Sequence, residues 1–160
     1  MAGAIAVAAL NLLSGLLGGS LWYRFPPGGV PELAAGSSAR GLVRAFWVLL
    51  RVGQGSALTL AIAVGSLAAA GNYSSEHLFY LYALLPLAVA FVAEQLRVAS
   101  AQTILDQQGL ENAAAVGELP EAEQHTLVAA IMRREIGVMA LSALVVVFLA
   151  LRAASTAHGL

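Results

Sequence analysis

"VAFVAEQLRVASAQ", residues 89–102, decides how this chain is read. An apolar run acquires Glu94, Gln95 and Arg97, then keeps helical spacing through Val98 and Ala101 without staying uniformly apolar. A helix that crosses a bilayer must be apolar only within the hydrocarbon; beyond it the same helix can continue in water with one apolar stripe. The stretch is therefore read as a membrane helix leaving the bilayer and carrying on. "TILDQQG" continues the pattern with Ile104 and Leu105, and Gly109 supplies a C-terminal stop.

The rest of the sequence fits that solvent. Of 160 residues, 59% are hydrophobic and 11% charged, against about 25% charged in an average soluble domain. Mean hydropathy is +0.81. The expected fold is all-α: a polytopic membrane protein forming one four-helix transmembrane domain over 1–160. Its spans run at about 3–22, 47–71, 77–95 and 135–153. The first apolar segment has no basic region before it and is long for a signal peptide, so it is read as a retained helix. Residues 23–43, rich in Pro, Gly and Ser, are read as an irregular first loop. Residues 71–76, "GNYSSE", form a short second one, with Ser74 or Ser75 as a cap.

Helices three and four outlast the bilayer. Pro120, followed by Glu121 and Glu123, begins helix four well before its span, with Leu127, Val128 and Ile131 as an apolar face. Residues 98–132 should therefore form a cytoplasmic acidic helical hairpin. Asp106, Glu111, Glu118, Glu121 and Glu123 lie between Arg97 and Arg133 with no Arg or Lys among them. They read as a solvated face held off the anionic inner leaflet, or alternatively as a docking surface for a basic partner or a cation.

Orientation follows from the basic residues, all eight of which are arginine. Arg24, Arg40 and Arg44 flank the first loop; Arg97, Arg133 and Arg134 flank the third. The positive-inside rule places these loops in the cytoplasm and both termini outside, a multi-pass topology in the cell membrane, read as a bacterial inner membrane. Trp22, Tyr23 and Trp47 fall at the inner edge, and Tyr73, Tyr80 and Tyr82 towards the outer one, as aromatic belts do.

Counting along the spans brings Arg51, Gln54, Glu94, Arg97, Arg134 and Glu135 to one depth, the inner interface. They are the candidate ligand or ion residues. One reading is an interfacial charge ring that pairs its own members, Glu94 with Arg97 by i,i+3 spacing. The other is the mouth of a cavity for an anionic headgroup or an ion, since the arginine fork suits phosphate and carboxylate. Within the bilayer, Asn11, Gly15 and Gly19 on helix one and Gly55, Thr59, Gly65 and Ser66 on helix two form small or hydroxylated faces. Such faces let helices approach closely, Gly15 and Gly19 as a GxxxG pair. A polar pathway along Asn11, Gln54, Thr59 and Ser66 is the competing reading. Pro86 should kink helix three.

Several classes are excluded. The chain has no cysteine, hence no disulfide, thiolate metal site or thiol redox chemistry. A net charge of −1 offers no basic surface for nucleic acid. His77, His125 and His158 cannot face one another across the membrane, so no metal and no haem cofactor is expected. No catalytic triad, Walker loop or dinucleotide motif is present.

The order of a polar first loop, a short second loop and outward termini resembles the MAPEG class of membrane glutathione-dependent and eicosanoid enzymes. At the start of helix two, "SARGLVRAFWVLLRVGQG" has Arg44-Ala45 without the family's preceding Glu and following Asn. The likeness covers layout and transfers no functional residue. Three functions stay open. The foremost is a non-catalytic oligomeric or accessory subunit, working through its hairpin with its own copies or another membrane protein. The others are a small channel or carrier, and a lipid- or anion-binding enzyme.

Overall fold

The computed structural model describes residues 1–25, 37–71 and 77–157. Their elements are all helical: α1 (Ala2–Arg24), α2 (Ser37–Ala69), α3 (His77–Gln107), the single turn α4 (Ala113–Val116) and α5 (Glu121–Thr156). The four long helices are each long and apolar enough to cross a membrane. By this measure the chain is a multi-pass membrane protein. At 1.5 Å per residue, the 33, 31 and 36 residues of α2, α3 and α5 reach about 45–55 Å, well past a hydrocarbon core of about 30 Å.

One boundary differs from expectation. Residues 37–43, assigned above to an irregular loop, are the first turns of α2. The helix breakers are concentrated before Ser37, the last proline being Pro31. "SSARGLV" lacks an apolar period but contains nothing that forbids a helix. The expected caps at Ser74 and Ser75, and the loop before residue 37, lie outside the described residues.

The helices pack as a square, α5 lying along both α1 and α3 while α2 bridges those two. Three apolar tiers fill the middle. At the arginine-rich end, Leu21, Phe46, Leu50, Ile136 and Met139 are buried together. Val7, Ala57, Val146 and Ala150 form the middle tier, and Val64, Phe79 and Ala83 the far one. Outward, Ile62, Phe91, Leu141 and Phe148 stay exposed, the surface that suits a lipid solvent.

Backbones approach where side chains are smallest, but not at every glycine expected. A Cβ on Gly18 would stand 2.5 Å from the Phe46 ring and 2.8 Å from the Ala140 Cβ. One on Gly15 would stand 2.6 Å from Leu144. One on Gly53 would stand 3.2 Å from the buried Asn11 amide, whose nitrogen donates to the Val7 carbonyl at 2.9 Å. Gly19, Gly55 and Gly65 have no neighbour within 4 Å of such a Cβ. Close contact in α1 thus runs through Gly15 and Gly18, and not through Gly19.

The far ends of α3 and α5 are closed by local bonding. Gly109 takes φ +70; its amide donates to the Asp106 carbonyl at 3.1 Å and the Leu110 amide to the Leu105 carbonyl at 3.0 Å. This is the Schellman pattern, which requires a residue tolerant of the left-handed region. The Asn112 side chain accepts from the Ala114 and Ala115 amides and starts α4. Pro120 stands just ahead of α5, one position earlier than the first-turn place expected of it. Leu105 and Leu127 are buried, while Asp106, Glu111, Glu118, Glu121 and Glu123 are exposed.

Candidate functional site

Five of the six candidate residues meet at the arginine-rich end of the bundle, brought together from three helices. Arg51 and Gln54 lie three apart on α2, Glu94 and Arg97 three apart on α3, and Glu135 on the facing side of α5. Spacing of three puts each pair on one helix face. Arg51 donates through Nη1 to Glu94 Oε1 at 2.6 Å and to Gln54 Oε1 at 2.8 Å. Gln54 Nε2 reaches the same Glu94 oxygen at 3.4 Å. Arg97 Nε donates to Glu94 Oε2 at 3.0 Å, and its Nη1 stands 3.7 Å from Glu135 Oε2. The Arg97 guanidinium also lies 5.6 Å from the centre of the Trp47 ring.

Two arginines and two glutamates make the network formally neutral. Both Glu94 oxygens are occupied as acceptors, so Glu94 is held as a carboxylate partner and does not present a free base. With Glu94 26% and Arg51 53% exposed, the charged ends of the pair reach water. A shallow cavity of about 540 Å³ opens beside Trp47, Arg51, Arg97 and Glu135. Among the described residues no group of His, Cys, Asp and Glu could hold a metal ion.

Arg134, the sixth candidate, stands apart. It lines a different cavity, between α1 and α5, of about 690 Å³. There its neighbour Arg133 lies 4.3 Å from the centre of the Trp22 ring and donates to the Phe25 carbonyl, capping the end of α1. This stack was not read from the sequence; the signal available was a paired arginine at the depth of an interfacial tryptophan. At the opposite end, Arg152 lies 5.8 Å from the centre of the Tyr82 ring.

The helix-two stripe divides. Gln54 joins the ionic network, whereas Thr59, Gly65 and Ser66 are on the exposed side of α2. The Thr59 hydroxyl bonds back to the Gly55 carbonyl at 2.9 Å. Asn11 is buried against Gly53, on the far side of the α1–α2 contact. Within one protomer these groups do not share a lining. Pro86 is buried inside α3 and cannot bond the Tyr82 carbonyl one turn earlier. Compared with known protein families, characterised proteins and solved structures, the chain matches none.

Proposed function

We propose that this protein is a non-catalytic integral membrane subunit. It assembles with its own copies or docks on another membrane protein, with loops one and three in the cytoplasm and both termini outside. The observation that supports this reading is the internally paired, formally neutral network of Arg51, Gln54, Glu94, Arg97 and Glu135, whose central carboxylate accepts from Arg51, Gln54 and Arg97. Paired in this way, the five side chains fasten α2, α3 and α5 at one depth. The cytoplasmic hairpin, acidic along its exposed faces, is the surface offered to a partner.

Glu94→Gln tests it. A partly exposed pair contributes about 0–1 kcal/mol, so the variant should unfold within that range of wild type. Its detergent-corrected mass by light scattering should equal that of wild type, and both should exceed one protomer or include a membrane partner. A wild type that is monomeric and partnerless contradicts the proposal. So does a Glu94→Gln protein that stays folded but loses a measurable ligand or ion flux.

A further inference from the structure

The cavity between α1 and α5 plays no part in the network above, and its shape and charge are those of a lipid. Its floor is cleared by small residues: Gly19 offers open space, and Gly137 meets only the edge of Trp22. Its walls are apolar down to Leu144. Partway along stand Arg133, engaged with Trp22 and Phe25, and Arg134, which is exposed and has no carboxylate or hydrogen-bond partner among the described residues; Thr126, Ala129 and Ala130 line the part beyond them. The ten residues from Arg134 to Leu144 cover about 15 Å, half of a hydrocarbon core of about 30 Å. The apolar part of the groove, from the arginines to Leu144, is therefore one leaflet deep. Its 690 Å³ falls within the roughly 300–1,000 Å³ of small-molecule sites.

The geometry points to a binding site for one anionic glycerophospholipid of the leaflet that meets the arginine end. Its phosphate lies against Arg134, which has no carboxylate partner among the described residues, and one acyl chain lies over Gly19 towards Leu144. Charge complementarity selects the occupant. A free anion leaves the apolar length uncovered, and a neutral apolar segment leaves Arg134 without a partner.

The test is native mass spectrometry of the detergent-purified protein titrated with dioleoyl phosphatidylglycerol or dioleoyl phosphatidylcholine. Wild type should hold one phosphatidylglycerol in preference to phosphatidylcholine. Arg134→Gln should weaken that preference about fivefold, the effect of one arginine near an anionic headgroup. At Gly19 an added Cβ has no protein atom within 4 Å, so Gly19→Leu extends into the groove and should abolish retention. Gly55→Leu, equally open but on α2, should leave it intact. Equal binding of the two lipids by wild type, no bound lipid at all, or undiminished retention by Gly19→Leu would overturn the inference.

Discussion

Gly18→Leu should leave little folded protein, whereas Gly19→Leu, one residue along, should fold as wild type does. At Gly18 even a methyl group meets the Phe46 ring on one side and the Ala140 methyl on the other. Phe46 is fully buried and Ala140 nearly so, and neither can swing aside. Relief requires α1 to move off α2 and α5 together. Overpacking a dense interior costs about 1–3 kcal/mol and occasionally more. Contact hemmed in from two sides belongs at the upper end, at about 3 kcal/mol or more. In lipid the loss is harder to offset, because close van der Waals contact is the main attraction between helices. Urea-free unfolding in mixed detergent micelles measures the difference. Equal stability of the two variants would mean that α1 does not pack through Gly18.

Phe46→Ala should be the costliest truncation. The ring fills the arginine-end tier with Leu21, Leu50, Ile136 and Met139, and meets Trp47 edge-on at 5.2 Å. For a soluble protein such a truncation costs about 3–5 kcal/mol, part transfer and part cavity. A membrane helix that separates from its neighbours still surrounds Phe46 with acyl chains, so the transfer part shrinks and the cavity part remains. The expected loss is about 2–3 kcal/mol by the same unfolding measurement. Because the ring also abuts Gly18, Gly18→Ala combined with Phe46→Ala should cost less than the two singly, a coupling that independent sites do not show.

Much of the bundle was legible because lipid makes simple demands. A spanning helix must be about 20 apolar residues long, and α1, α3 and the apolar part of α5 announce themselves on that count. The early start of α2 did not, since "SSARGLV" carries no apolar run and, with two serines and Gly41, reads as a continuation of the loop although it holds no proline. Depth was legible too: counting along the spans brought Arg51 and Glu94 to one level, and they pair at 2.6 Å. Counting residues, however, fixes height along a helix and not the direction faced. Arg134 and Glu135 share a depth but lie about 100° apart around α5. One turns to the α1 groove and the other to Arg97 on α3. Gly18 and Gly19 differ for the same reason. Azimuth is set by which helices are neighbours, and that is a property of the packed bundle.

The proposed orientation puts the arginine-rich end of this multi-pass protein, and the segment joining α3 to α5, on the cytoplasmic side. The absence of cysteine allows a direct test with single cysteines at Ala70, beside the α2–α3 turn, and at Glu118, in the segment joining α3 to α5. In intact cells an impermeant thiol reagent should label Ala70→Cys and leave Glu118→Cys unmodified until the membrane is permeabilised. Labelling of Glu118→Cys with protection of Ala70→Cys would contradict the orientation, and labelling of both in intact cells would contradict the crossing itself.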